Sequence, residues 1–192
     1  MRHLAAITLS CLSLLLVGCG TTPNPRFYAL SSVAPAAAPP ADLSVAVGPV
    51  MIPADVDRPQ IVNTVGPNRV RLEEFDRWAA PLQSDIARVI AANLVVALGT
   101  PRVTLASQPV AAGSDYRAAI EVQRFESSLG DAATLDAVWT VTRTKDGKLQ
   151  SGRTTTREAA AERSFDALAA AHSRALGRLS QDLAGAVREL SR

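Results

Sequence analysis

The sequence of 192 residues holds 20 basic and 18 acidic residues, and 47% of its residues are hydrophobic. A nearly balanced charge without a basic block is atypical of nucleic-acid-binding proteins, so we expect no nucleic-acid partner. Cysteine occurs only at Cys11 and Cys19, which excludes a small scaffold stapled by several disulfides.

The first residues are organised as a secretory signal peptide. Arg2 precedes an apolar stretch from Leu4 to Val17, which is shorter than the roughly 20 apolar residues that a membrane-spanning helix needs. The stretch runs into Gly18 and Cys19 and resembles the lipobox of bacterial lipoproteins. We therefore predict cleavage between Gly18 and Cys19, with an S-diacylglycerol group and an N-acyl chain on Cys19. An ordinary cysteine beside a conventional cleavage site is the alternative.

The residue after the acylated cysteine indicates the membrane. Gly20 stands where many enterobacterial lipoproteins that stay in the inner membrane have an aspartate. We therefore expect a lipid-anchored protein on the periplasmic face of the outer membrane. Inner-membrane retention is the alternative, because the sorting rule differs between lineages.

The chain divides into three parts. Residues 1–18 are the signal peptide, residues 19–41 form a lipidated tether rich in proline and alanine, and residues 42–192 form one periplasmic domain. Phe27 and Leu30 give the tether apolar bulk, so we expect part of it to dock on the domain as an edge strand.

The domain begins with strand signals. Residues from Leu43 to Val47 alternate in size and predict a strand that ends at Gly48-Pro49. Gln60 to Val65 and Arg69 to Leu72 are β-rich runs on either side of the turn residues Gly66-Pro67-Asn68. These two runs predict a hairpin.

A helix and a short strand follow the hairpin. Glu73 to Ala80 reads as the approach to the helix, and Pro81 is tolerated in a first helical turn. A helix of about 17 residues is predicted up to Gly99 from apolar residues at helical spacing, which are Leu82, Ile86, Val89, Ile90, Leu94 and Ala97. Val103 to Ala106 then predicts a short strand.

Three alternating runs predict an antiparallel meander, namely Tyr116 to Glu126, Thr134 to Thr144 and Leu149 to Thr156. Asp146-Gly147 between the last two indicates a type I′ turn. The chain closes with an apolar stripe from Phe165 to Leu190, which predicts a helix of about 25 residues capped near Ser164.

The order of these elements predicts an α+β fold, with a mainly antiparallel sheet and two amphipathic helices packed on one face.

Catalytic patterns are scarce in the mature chain. His172 is its sole histidine and lies on the apolar stripe of the last helix, where a histidine is more often a hydrogen-bonded core or interface residue than a catalyst. A G-x-S-x-G motif, a set of Cys and His metal ligands and a glycine-rich phosphate loop are all missing. We therefore expect a binding or assembly subunit, not an enzyme, without a metal or cofactor.

One group of acidic residues supports a competing hypothesis. Its members are Asp55, Asp57, Glu73, Glu74 and Asp76. Carboxylates of this kind form calcium sites or glycosidase pairs. The simpler interpretation is that they are solvated and pair with Arg58, Arg69, Arg71 or Arg77.

Several segments together resemble a known family, the PqiC lipoproteins, which are also described as auxiliary lipoproteins of ABC-type transport systems. The segments are Phe27-Tyr28-Ala29-Leu30, Val47-Gly48-Pro49-Val50, Ile52-Pro53, Asp57-Arg58-Pro59-Gln60-Ile61-Val62, Glu74-Phe75, Trp78-Ala79 and Pro81-Leu82. They span most of the mature chain, and the last third matches by pattern alone.

The resemblance implies an outer-membrane subunit of a system with MCE-domain proteins, which form lipid-conducting passages across the periplasm. Such a subunit docks, as a homo-oligomer, where the tunnel reaches the outer membrane, and so helps to maintain membrane integrity. An envelope hydrolase that uses the carboxylates, or an assembly factor for outer-membrane or secretion machinery, are the alternatives.

The candidate partner or oligomer contacts are Asp57, Arg58, Pro59, Gln60 and Trp78. Pro59 fixes its own φ and restricts Arg58 to extended conformations, which makes a stiff polar loop. The alternative for Trp78, as for Phe75, is packing of the helix entrance against the sheet.

Overall fold

The described part of the chain folds into one sheet and two long helices. The computed structural model describes residues 23–33 and 38–192. In these residues the strands are β1 (Arg26–Tyr28), β2 (Val45–Met51), β3 (Gln60–Gly66), β4 (Arg69–Trp78), β5 (Val103–Leu105), β6 (Tyr116–Ser128), β7 (Ala132–Arg143) and β8 (Leu149–Ala159). The helices are α1 (Leu82–Leu98), α2 (Phe165–Ser191) and a short 3-10 helix at Pro109–Gly113. The predicted α+β class is confirmed.

Strand β6 is the centre of the sheet. Along one edge it pairs with β7, which in turn pairs with β8, and these three strands form an antiparallel meander. Along the other edge β6 pairs in parallel with β2, and at Ser127 with β3. Strand β5 lies beyond β2, while β4 and then β1 lie beyond β3. We call β1, β3 and β4 the wing.

The sheet is mainly antiparallel, as predicted, but it also contains parallel pairs that the sequence did not reveal. Strand β2 is parallel to β5 and β6, and β1 is parallel to β4. A parallel pair needs a long crossover connection. The chain between Met51 and Val103, which includes α1, supplies this connection for β2 and β5.

Both helices pack on one face of the sheet. Helix α1 contacts β2 and β5, α2 contacts the meander, and the two helices contact each other. Helix α1 ends at Gly99, whose φ of 65° suits a glycine. The predicted cap of α2 is confirmed, because the Ser164 hydroxyl accepts a hydrogen bond of 3.1 Å from the Ala167 N–H. In the part of the chain described, neither helix is apolar over enough of its length to cross a bilayer.

The residues before α1 differ from the prediction. Glu73 to Ala80 was predicted as the approach to the helix, yet β4 continues as far as Trp78. Two partners extend the strand, since Ile61 and Gln60 of β3 pair with Glu73 and Arg77, and the distant β1 pairs with the segment from Asp76 to Trp78. Where a strand is stabilised by residues about fifty positions away, the alternation of its own apolar and polar residues does not predict it.

The turn between β7 and β8 is a hairpin, but not of the predicted type. Gly147 has a φ of 72°, and among the described residues only glycines have positive φ. A type I′ turn requires positive φ at both central residues, so Asp146 excludes it. The Asp146 carboxylate instead accepts hydrogen bonds from the Arg143 guanidinium, which lower the pKa of Asp146 to about 2.

The segment from Arg26 to Val33, which we call the strap, begins with β1 and packs on β4 and on both helices. Leu30 is 2% exposed. Three backbone N–H groups donate hydrogen bonds of 3.0 Å to helix side chains, from Leu30 to Asp85, from Ser31 to Ser173 and from Val33 to Asn93. The predicted docking of the tether as an edge strand is confirmed, and the packed part of the chain reaches upstream of residue 42.

Asp76 fastens the strap to β4. Its carboxylate accepts two hydrogen bonds from the Arg26 guanidinium, at 2.7 and 2.8 Å, and one of 2.7 Å from the Tyr28 hydroxyl. Burial alone would raise the pKa of Asp76, but these hydrogen bonds and the Arg26 charge outweigh it and lower that pKa. Burial and the bond to Asp76 raise the pKa of Tyr28 to about 12.

Candidate functional site around Arg58

A pocket of about 350 Å³ lies where the wing meets the start of α1. Four of the five predicted contact residues line it, Asp57, Arg58, Pro59 and Trp78, together with the segment from Ala79 to Leu82. Gln60 is not part of the lining. Its side chain donates a hydrogen bond of 3.4 Å to Glu74 on the neighbouring strand.

Backbone hydrogen bonds fix the positions of the segments that line the pocket. The Trp78 N–H donates to the Pro59 carbonyl at 2.7 Å, and the Arg58 N–H donates to the Val56 carbonyl at 2.8 Å. The Val56 side chain is buried and packs the loop against the core. The loop before β3 is therefore fixed against the end of β4.

Arg58 is the chemically distinctive residue of the pocket. Its side chain is half-buried, and its Nε is buried without a hydrogen-bond partner. None of the ion pairs among the described residues includes Arg58, so the predicted pairing with a nearby acid is not found for it. A buried donor without an acceptor costs about 1–3 kcal/mol. The planar fork of a guanidinium suits a carboxylate or a phosphate.

The N-terminus of α1 reinforces this preference. Pro81 precedes the helix and provides no side-chain cap. The first N–H groups of a helix lack intrahelical acceptors and carry a partial positive charge. Because Leu82 opens the helix and lines the same pocket, Arg58 and the helix end together favour an anionic group there.

Trp78 forms the inner wall of the pocket and is 6% exposed. Its ring makes edge contacts with Phe125 and with His172, at centroid distances of 6.2 and 5.9 Å. The packing role that was the alternative for Trp78 is therefore present. Of the predicted contact residues, a partner can reach Asp57, Arg58 and Pro59 at the rim.

His172 is a core residue, as predicted. Its ring stacks on Phe125 at 3.9 Å, and its Nε2 shares a hydrogen bond of 2.8 Å with the Ser127 hydroxyl. Complete burial lowers the pKa of His172 to about 3, so the imidazole is neutral at neutral pH.

The acidic residues of the competing hydrolase hypothesis are largely engaged elsewhere. Glu73 accepts hydrogen bonds from Asn63 at 3.0 Å and from Arg71 at 2.7 Å, Glu74 pairs with Arg77 at 3.8 Å, and Asp76 holds the strap. In residues 23–33 and 38–192 no three acidic, histidine or cysteine side chains stand close enough to share a metal ion. The predicted pairing with arginines is thus found for Glu73 and Glu74.

The sequence analysis missed the residues that receive the strap. Asp85 and Asn93 lie on α1, and Ser173 lies on α2, where each is buried. The sequence signal that could have identified them was a polar residue within an otherwise apolar helical stripe. Gly18 and Cys19, the predicted cleavage and acylation site, lie outside the described residues.

Comparison with known structures identifies the same fold. The chain is 22% identical to the protein XCC0632 from Xanthomonas campestris, with a TM-score of 0.69, and the match covers 86% of this chain and 97% of that one. A second solved structure, of an uncharacterized protein, is 20% identical with a TM-score of 0.69 and covers 88% of this chain and 99% of its own. No curated protein matches the sequence.

Comparison with protein families gives the identity. The family described as ABC-type transport auxiliary lipoprotein component matches residues 28–184. The match begins inside the strap and ends in α2, so it includes the Arg58 pocket and all but the first strand residues of the sheet. The chain belongs to the family of ABC-type transport auxiliary lipoprotein components.

Proposed function

We propose that the chain is the outer-membrane lipoprotein subunit of an MCE-type intermembrane lipid transport system. It docks and positions the periplasmic tunnel at the outer membrane and thereby helps to maintain membrane integrity. Membership of the auxiliary lipoprotein family supports a place in a transport system, and the resemblance of the segment 57–62 to the PqiC lipoproteins supports an MCE-domain partner and a homo-oligomer.

Acylation of Cys19 provides the anchor. One acyl chain binds a membrane only marginally, whereas each further chain contributes about 0.8 kcal/mol for every buried methylene. Mass spectrometry of the mature N-terminus is expected to find Cys19 as the first residue, with diacylglyceryl and N-acyl groups. The variant Cys19→Ser is expected to lose the acyl groups and leave the membrane fraction.

The state of the Arg58 side chain is the main observation that supports the docking role. A half-buried guanidinium that lines a pocket and forms no ion pair within the described residues suits a carboxylate supplied by another molecule. We propose that a carboxylate of the MCE-domain protein enters the pocket beside Trp78 and binds Arg58. The rigid loop fixes the direction from which that carboxylate approaches.

Crosslinking in cells tests the contact. A photoreactive amino acid at Asp57, which is exposed at the rim of the pocket, is expected to capture the MCE-domain protein of the same system. The same group at Lys145, in the exposed turn of the meander, is the control and is expected to capture none. Equal capture at both positions, or capture at neither while the MCE-domain protein is present, would contradict the proposal.

A matched pair of substitutions tests the chemistry. Arg58→Gln removes the charge from the pocket, while Arg69→Gln removes an equally large charge from the exposed hairpin tip. Hydrogen bonds to charged groups contribute about 1.5–3 kcal/mol, so Arg58→Gln is expected to weaken binding of the MCE-domain protein roughly ten-fold or more. Arg69→Gln is expected to leave the binding constant unchanged. Equal effects of the two substitutions would exclude a specific role of Arg58.

A further inference from the structure

The wing presents an apolar face on the side of the sheet away from the helices. Asn63 pairs with Ser127, whose hydroxyl bonds to His172 of α2, so Asn63 faces the helices. Arg71 and Glu73 share that side, since both belong to one hydrogen-bonded group with Asn63. Side chains of a strand alternate between faces. Val70 and Leu72 therefore point to the opposite, uncovered face.

Two phenylalanines extend this face towards the edge of the sheet. Asp76 faces the helices together with Tyr28, which packs against Phe165 of α2. Strand β4 has an irregularity between Glu73 and Arg77, opposite Ile61 and Gln60, so Glu73 and Asp76 both face the helices. Phe75 precedes Asp76 and Phe27 precedes Tyr28, so local alternation places both phenylalanines on the uncovered face. Strand β1 is at the edge of the sheet, and Phe27 also borders a pocket with Asp166 and Ala169 of α2, so Phe27 stands at the flank of this face.

The exposure of these side chains is concentrated on the wing. Five of the nine large apolar side chains that are exposed in the described residues belong to it: Phe27 at 61%, Val70 at 55%, Leu72 at 38%, Phe75 at 38% and Val65 at 37%. Val65 lies two residues after Asn63 and so on the other face, which leaves Phe27, Val70, Leu72 and Phe75 for the uncovered face. Exposed apolar surface of this kind marks contact with another molecule or a membrane.

The short tether indicates that the apolar face of the wing meets a membrane. Six residues, Gly20 to Pro25, separate Cys19 from the start of β1 at Arg26. A fully extended chain spans at most about 3.6 Å per residue, so β1 lies within roughly 25 Å of an acylated Cys19. Asp76 and the helices bind the strap, so residues 26–33 cannot detach to lengthen the tether. The edge of the wing is therefore held close to the lipid surface.

The charges of the wing agree with this placement. Arg77 lies between Asp76 and Trp78 and shares the uncovered face, whereas Arg26 and Arg71 bind Asp76 and Glu73 on the side of the helices. Of its acids, Glu74 is exposed at 59%, whereas Glu73 and Asp76 are at 15% and 7% and bind arginines of the wing. The stem of an arginine such as Arg77 covers apolar surface while its guanidinium group reaches lipid phosphates.

We propose that the uncovered face of the wing lies on the membrane that holds the acyl chains, with Phe27 and Phe75 entering the headgroup region. The inference rests on the proposed acylation of Cys19. The membrane contact orients the domain, so that the protein is held at two points, by its lipid and by the wing.

Fluorescence quenching in vesicles tests the contact. The acylated full chain is reconstituted in vesicles of phosphatidylethanolamine and phosphatidylglycerol, and an environment-sensitive dye is attached to a cysteine introduced by Phe75→Cys or Val70→Cys. The matched control is Arg71→Cys, because the Arg71 side chain is 57% exposed, next to Val70, on the other face. Loss of Cys11 with the signal peptide and acylation of Cys19 leave no other thiol. A nitroxide lipid and aqueous iodide serve as the two quenchers.

The expected result is a contrast between the two faces of β4. Because an interfacial segment lies about 5–10 Å into the headgroup region, the nitroxide lipid is expected to quench dyes at 70 and 75 roughly two-fold more than the dye at 71, and iodide the reverse. Equal iodide quenching at all three positions would overturn the proposal. Protection of 70 and 75 from both quenchers would also overturn it, since another protein copy would then cover the face.

Mass spectrometry separates this inference from the proposed function. An acylated chain that floats with the vesicles but shows no lipid quenching at 70 and 75 refutes only the contact of the wing. A chain without acyl groups on Cys19 refutes the anchor, and with it the length restraint on β1.

Discussion

The sheet leaves the same side uncovered in the wing and in the meander, but the side chains on that side differ. In the meander, Asp136 accepts hydrogen bonds from Arg153 at 2.7 Å and from Thr155 at 3.1 Å. The hydroxyls of Thr140 and Ser151 bond to each other at 2.7 Å. In the wing, the corresponding side carries exposed phenylalanine, valine and leucine.

The difference shows in which region the side chains find their partners within the domain. The pKa of Asp136 is lowered, mainly by the hydrogen bond from Arg153, so the acids and bases of the meander already satisfy each other. The apolar side chains of the wing have no such cover, and Arg58 at its base has no partner for Nε. The meander is thus suited to face water, and the wing is suited to meet other molecules.

The largest expected effect concerns the inner side of the meander. Trp139 packs over Gly152 and donates a hydrogen bond of 3.0 Å to Thr154. Trp139→Ala is expected to lower the free energy of unfolding by about 3–5 kcal/mol, as large-to-small changes in a core do. Its neighbour Thr140 lies on the uncovered side, and Thr140→Ala is expected to change that free energy by less than about 0.5 kcal/mol. Chemical denaturation measures both, and similar losses would refute the assignment of faces.

The second effect compares two aspartates. Asp76→Ala leaves the buried Tyr28 hydroxyl without an acceptor, and the loss of hydrogen bonds to a charged group is expected to cost about 1.5–3 kcal/mol. Asp136→Ala leaves Arg153, which is 61% exposed, free to be hydrated, so we expect a loss of at most about 1 kcal/mol. Hydrogen exchange is expected to show faster exchange in the strap for Asp76→Ala alone. Unchanged exchange there would mean that Asp76 does not fasten the strap.

Local patterns predicted those parts of the fold that local contacts stabilise. The two helices, the hairpin β3–β4 and the meander each carry their periodicity in one continuous stretch, and each was found. Strand β1 and the end of β4 stabilise each other across about fifty residues, so neither has a complete signal of its own. The parallel pair β2–β5 depends on a crossover in the same way.

The candidate site was predicted in part for a similar reason. The motif of the loop and the helix entrance named Asp57, Arg58 and Trp78, which the fold brings into one pocket. The motif cannot show that the Arg58 Nε has no acceptor, because an acceptor is excluded only by the three-dimensional surroundings. The same holds for Asp85, whose carboxylate binds a segment that precedes it by more than fifty residues.

His172 connects the two regions, and its titration gives the third prediction. The unfolded chain binds a proton at this residue below pH 6.5 or so, whereas the folded chain does so only near pH 3. The free energy of unfolding is therefore expected to fall as pH falls through this window, by at most about 1.4 kcal/mol per pH unit. In His172→Gln this contribution is absent. Denaturation of both proteins at pH 7.5 and pH 5 measures it, and parallel pH dependences would show that His172 is protonated in the fold.

The smallest expected effect tests whether the apolar face of the wing serves the fold at all. Val70 lies opposite Thr64 and is 55% exposed, so Val70→Ser is expected to change the free energy of unfolding by less than about 0.5 kcal/mol. A loss well above that value would place Val70 in the core and contradict the uncovered face. If stability is unchanged while lipid quenching of a dye at position 75 decreases, the apolar character of this strand contributes to the membrane contact and not to folding.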